Sequence, residues 1–129
     1  MSGAYTDLMD RTFLLVGAVA GLIAVGFGAF GAHGLRGRLS PEMLAVFETG
    51  VRYQMYHALA ILVTAVALGF VDARLLRISG WLFTAGIVLF SGSLYALALT
   101  GVTRLGMITP LGRLAFLAGW ALLIVAALK

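Results

Sequence analysis

The chain has 129 residues, 62% of them hydrophobic, with nine basic residues against five acidic ones, a formal net charge of +4 and a mean hydropathy of +1.07. That apolar content exceeds the ~45 to 50% of soluble domains, and so small a ball has too little interior to hide it, so the excess must face lipid. Cysteine is absent, which excludes disulfides, thiol catalysis and iron–sulfur ligation, and the basic residues stand singly between apolar runs, as headgroup anchors do and nucleic-acid patches do not.

Asp7 and Asp10 precede Arg11, unlike the basic start of a secretory signal, so the first apolar run is read as a retained helix. From Thr12 to Ala32 it carries no charge over about 21 residues, close to the ~20 that cross a hydrocarbon core. Within it Gly17, Gly21, Ala24, Gly28 and Gly31 recur at alternating spacings of four and three. This is one stripe of a helix, of the kind that lets a neighbouring backbone come close.

Gly34 and Gly37 then permit a turn, and Ser40-Pro41-Glu42 supplies a hydroxyl cap, a proline at the first helical position and an acid in the first turn. The helix expected over 41–51 is amphipathic, with Met43, Leu44, Phe47 and Val51 on one face and Glu42, Glu48, Thr49 and Arg52 on the other, and suits the membrane interface. A second span is expected over 53–71. One straight helix through both would reach roughly 46 Å, longer than the hydrocarbon core, so a bend is expected at Gly50, where Glu48 and Arg52 can pair. Tyr53 and Tyr56 suit the headgroup level.

Residues 72–77 read as a charged connector and 78–99 as the third span, whose Gly80, Thr84, Ser91 and Tyr95 form a weakly polar stripe that should look inward. A loop over 100–109 ends in Thr109-Pro110, again a cap and a first helical residue. The last span, 111–128, carries the small residues Gly112, Ala115 and Gly119 on one stripe and ends at Lys129. The fold class expected is all-α: a single four-span domain over 1–129, an antiparallel integral membrane four-helix bundle with a short interfacial helix between the first two spans. Arg36, Arg38, Arg52, Arg104 and Arg113 lie on one side, and Arg11, Arg74, Arg77 and Lys129 on the other. The first set is slightly favoured as cytoplasmic.

The candidate functional cluster is His33, Glu48, Arg52, Tyr53, Gln54 and His57. His57 shares a stripe with Tyr53, Ala60 and Thr64 and should face other helices. Ionisable residues at such depth serve as proton carriers, metal ligands or hydrogen-bond anchors, and a neutral histidine bonded across the bundle is the favoured reading. His33 ends the first span where the second begins, so the two histidines are expected as neighbours. With Glu48 they would suit a transition metal, but HxxxH, ExxH and CxxCH spacings are all missing, and no metal or cofactor is assigned. Ser91 and Ser93 in SGSLY have neither a preceding strand nor an acid to make a nucleophile. Arg36, Arg38 and Arg52 read as interfacial anchors that could also hold an anionic headgroup.

The stretches GAFGAHGL (28–35), ETGVRYQMYHAL (48–59), FSGSLYALALTG (90–101) and ITPLGRLAFLAGW (108–120) resemble the small membrane proteins grouped as domain of unknown function 423, relatives of eukaryotic transmembrane protein 256. The likeness spans nearly the whole chain. It implies a four-helix integral membrane protein and carries over no catalytic residue; the expected location is the bacterial inner membrane. Function is expected to be non-enzymatic: an accessory or structural subunit whose glycine-lined faces dock other membrane proteins or its own copies in the lipid bilayer. The alternative is a carrier or channel for protons or a small solute through Tyr53, Gln54, His57 and Glu48.

Overall fold

A computed structural model describes the backbone of residues 2–129 and the side chains from Arg11 onward; Asp7 and Asp10 lie outside the described side chains. The described residues are helical, apart from short turns and one isolated bridge between Arg36 and Leu39. Helix α1, Ser2–Phe30, widens into a π turn at Gly31–Leu35. Helix α2 is Pro41–Ala67, and α3, Ala73–Gly86, passes through a second π turn, Ile87–Ser91, into α4, Gly92–Thr100. A 3-10 turn over Thr103–Met107 leads to α5, Thr109–Leu128.

The helix starts follow local chemistry. Ser40 Oγ accepts the Met43 N–H at 3.1 Å with proline in the first turn, as the Ser-Pro-Glu pattern predicts. Asp72 does the same for Leu75 at 3.1 Å, so residues 73–77, expected as a connector, are the first turn of α3. Thr109 departs from the expectation: it is already helical and caps nothing, its hydroxyl lying 2.6 Å from that of Ser93 on α4. A cross-helix partner outcompeted the local one. Gly101 ends α4 in the left-handed region at φ 73°, its N–H on the Leu97 carbonyl, and Gly37 turns the first loop at φ 89°.

The expectation of a separate helix over 41–51 is corrected. Residues 41–67 form one uninterrupted helix, and the second element stops at Ala67 rather than 71. Gly50 serves packing instead: a side chain there would meet the Tyr95 ring, and its carbonyl accepts the Ser91 hydroxyl at 2.6 Å. Three stretches are long and apolar enough to cross a membrane, Arg11–Leu35, Ala73–Thr100 and Thr103–Leu128. Helix α2, expected as a fourth span, is not among them, since Arg52, Gln54 and His57 interrupt its apolar run.

Helix α1 lies antiparallel along α2: Gly17 meets Leu62 and Ala58, Gly28 meets Val51 and Gly31 meets Phe47. The α3–α4 rod pairs with α5 in the same way. Gly119 receives Phe83, Gly86 receives Phe116, and Gly112 lies against the backbone of Phe90. The two hairpins join through α2, which packs on α3, the π turn and α4. A main core of Phe13, Ile61, Leu76, Phe83, Phe90 and Phe116 fills the centre, and a smaller one of Leu35, Phe47 and Ala98 closes the end near the two glycine turns. Apolar side chains cover the outside as well, among them Leu15, Leu22 and Val25 on α1 and Leu114, Leu117 and Ile124 on α5. Such a surface is at home in lipid.

Candidate functional site

Of the polar residues that interrupt the apolar run of α2, Arg52 faces outward, and Gln54 and His57 are enclosed by the fold. Gln54 and His57 are one turn apart on the buried face, 4% and 5% exposed. The Gln54 amide donates to the Ala20 carbonyl of α1 at 2.8 Å and its oxygen accepts the Tyr95 hydroxyl at 2.7 Å, so one side chain ties α1, α2 and α4 together. Ser91 holds the Gly50 carbonyl at 2.6 Å, and between α3 and α5 Ser79 donates to Gly119 at 2.8 Å.

His57 is held at both ring nitrogens. Trp120 Nε1, which can only donate, lies 3.1 Å from Nε2, and the Tyr53 carbonyl, which can only accept, lies 2.7 Å from Nδ1. Together these two partners define one neutral tautomer, with the proton on Nδ1. The ring stacks on Phe116 with centroids 3.5 Å apart and planes within 8°, while Phe83 and Trp120 close the sides at 5.6 and 5.9 Å. A second proton would set two N–H groups against each other at Trp120, so the cage suits a hydrogen-bond anchor better than a proton shuttle.

His33, Glu48 and Arg52 of the expected cluster do not assemble around it. Gly31 is level with Phe47, and His57 is ten residues beyond Phe47, so His33 and His57 are separated by about 15 Å or more along the helix axis. His33 is exposed at the π turn ending α1. The expected neighbourhood of the two histidines is therefore corrected: antiparallel pairing sets the end of α1 against the start of α2, not its middle. Glu48 is half-buried near that same start and forms no ion pair with the outward-facing Arg52. Among the described residues no three of His, Asp, Glu and Cys gather as metal ligands would. Tyr53 and Gln54 do adjoin His57. Of the packing residues, Gly17, Ala24 and Gly31 are buried and face α2, and Gly28 is half-buried there, while Gly21 has no atom within 4 Å of a notional side chain. Gly112 and Gly119 are buried against the α3 rod, with Ala115 half-buried between them.

Sequence reasoning missed Trp120 and Phe116 as partners of the histidine. Their spacing was a usable signal: Gly112, Phe116 and Gly119 share one face of α5, and Trp120 follows Phe116 by one turn. It also passed over a groove between α2 and α5, lined by Tyr53, His57, Arg113, Phe116, Leu117 and Trp120, of about 340 Å³. Arg113 faces outward at its rim, its guanidinium 5.9 Å from the Phe90 ring centre.

Comparison with known proteins places the chain among membrane proteins. The family described as Protein of unknown function (DUF423) matches residues 27–112. The UPF0382 membrane protein YwdK of Bacillus subtilis (strain 168) is 50% identical over 124 residues, covering 92% of this chain and 98% of its own length. A UPF0382 membrane protein of Staphylococcus aureus (strain bovine RF122 / ET3-1) is 48% identical and one of Staphylococcus haemolyticus (strain JCSC1435) 47%, each over 119 residues, 92% of this chain and 97% of theirs. No solved structure matches the chain.

Proposed function

The chain belongs to the DUF423 family of UPF0382 membrane proteins, and from that premise we propose that it is a non-enzymatic accessory or structural subunit of the bacterial inner membrane, crossing it four times. The fourth crossing is α2, whose Gln54 and His57 are tolerable in lipid because α1, the α3–α4 rod and aromatic side chains of α5 enclose them. In this reading the start of α2, with Glu42 outward and Phe47 inward, sits at the membrane face.

One observation carries the non-enzymatic reading. Among the described residues each buried polar one, Gln54, His57, Thr64, Ser79, Ser91, Ser93 and Thr109, is engaged in a hydrogen bond inside the molecule. None is left poised over an open space with a base or an acid beside it. Intramembrane polar groups used this way fix helix pairing. The small residues that remain face outward: Gly21 and Gly26 on α1 have nothing within 4 Å, as seats for another helix would.

Native electrophoresis after extraction in a mild detergent tests the reading. A discrete assembly larger than one chain is expected, and Gly26→Leu, at a position where an added Cβ meets nothing within 4 Å, is expected to dissociate it without unfolding the protein. A wild-type protein that is monomeric in membranes as well as in detergent would overturn the proposal. Proton or solute flux into liposomes that is abolished by His57→Phe would favour the carrier reading instead.

A further inference from the structure

The groove between α2 and α5 has two unlike ends. At the end nearer the 101–108 loop stand Arg113, four residues into α5, and Tyr53, 39% exposed. Arg113 has no carboxylate partner and the Tyr53 hydroxyl no hydrogen bond among the described residues. The described acids lie elsewhere: Glu42 and Glu48 in the first half of α2, and Asp72 capping α3 at the opposite end of the molecule. Toward the other end the wall is Phe116, Leu117 and Trp120. His57 makes no polar demand there, because both its nitrogens are already occupied. The volume, about 340 Å³, falls within the roughly 300 to 1,000 Å³ of small-ligand clefts.

An arginine on a lipid-facing wall is costly unless it meets an anion or reaches the headgroups, and its planar fork matches phosphate in two-point geometry. An occupant that satisfies both ends carries a phosphate at one and a hydrocarbon chain at the other. We propose that this groove is a specific seat for one anionic glycerophospholipid, its phosphate on Arg113 and the Tyr53 hydroxyl and an acyl chain laid along Leu117 and Trp120. Charge complementarity sets the class. The rim holds one unmatched cation, so a lipid with net negative charge is preferred over a zwitterionic one that brings its own cation. The seat differs from general anchoring by Arg36, Arg38 and Arg104, which stand on the turns between helices. The inference is independent of whether the protein is an accessory subunit.

The test is native mass spectrometry of delipidated protein in mild detergent, titrated with phosphatidylglycerol or phosphatidylcholine of the same acyl chains. A one-to-one phosphatidylglycerol adduct is expected, roughly tenfold tighter than that of phosphatidylcholine, the scale of a charge-assisted hydrogen bond. Arg113→Gln should erase that preference, Tyr53→Phe should weaken it a few-fold, and Arg104→Gln should leave it intact. Leu117→Trp, which fills the groove while keeping the arginine, should also lose the adduct, and it decides the matter if Arg113→Gln does not fold. No preference in the wild type, an equal loss with Arg104→Gln, or a protein chain found cross-linked into the groove in place of lipid would each overturn the proposal.

Discussion

Two seams of this protein are built on opposite principles. Along α1 and α2 the glycine stripe lets backbones approach until the Gln54 amide reaches the Ala20 carbonyl, and Gly28 and Gly31 sit directly against Val51 and Phe47. Between α2 and α5 no small residues meet. The gap is spanned by rings: His57 lies on Phe116 at 3.5 Å and against Trp120 at 5.9 Å, and Tyr53 faces Phe116 at 6.3 Å. Close backbones leave nothing for a ligand to enter, whereas rings bridge a wide gap incompletely and leave a groove. Lipid supplies no hydrophobic drive between helices, so the first seam is held by van der Waals contact and the second by stacking and the Trp120–His57 hydrogen bond.

The sharpest way to break the close-packed type is Gly112→Ala on α5. Its new methyl group would strike the backbone nitrogen and Cα of Phe90, which cannot rotate aside, and a loss of about 3 kcal/mol is expected in denaturant unfolding from micelles. Stability equal to the wild type would mean that α5 does not approach the π turn this closely. Next in size is His57→Ala in the ring-filled seam. It removes the ring stacked on Phe116 and leaves the Trp120 N–H without an acceptor, for about 2 to 3 kcal/mol. Tryptophan emission should shift as the Trp120 bond is lost, and an unchanged spectrum in His57→Ala would contradict the pairing. Gln54→Leu keeps the volume and removes two cross-helix bonds, so about 1 kcal/mol is expected, in line with hydrogen bonds between membrane helices. The smallest effect belongs to Gly21→Ala. Nothing lies within 4 Å of it, so the substitution should be neutral or stabilising by up to about 1 kcal/mol through helix propensity. A clear destabilisation would show that α1 is covered at that point by another chain.

Some of this was legible before any coordinates. The apolar runs around Val16, Leu82 and Leu122, the Ser40-Pro41 start and the inward turn of Ser91 and Tyr95 follow from periodicity and cap chemistry. The fate of Gly50 was not legible, because a glycine between an amphipathic stretch and an apolar one reads equally as a bend or as a seat for a ring. Nor was Thr109, whose hydroxyl had both a local use and the distant one with Ser93 that it took. The histidine pair failed for another reason. Sequence adjacency of helix ends says which residues share a face of the membrane, but says little about depth along a long antiparallel pair.

By itself the sequence determined the solvent, the helical class and the approximate limits of the helices, since hydropathy, period and caps act over a few residues at a time. The tertiary structure decided which partner each polar group took. His57 met Trp120 across 63 positions and Gln54 met Ala20 across 34. Such pairings depend on the rotation and register of whole helices, which are fixed only when glycines such as Gly17, Gly86 and Gly119 have met the side chains that lie against them.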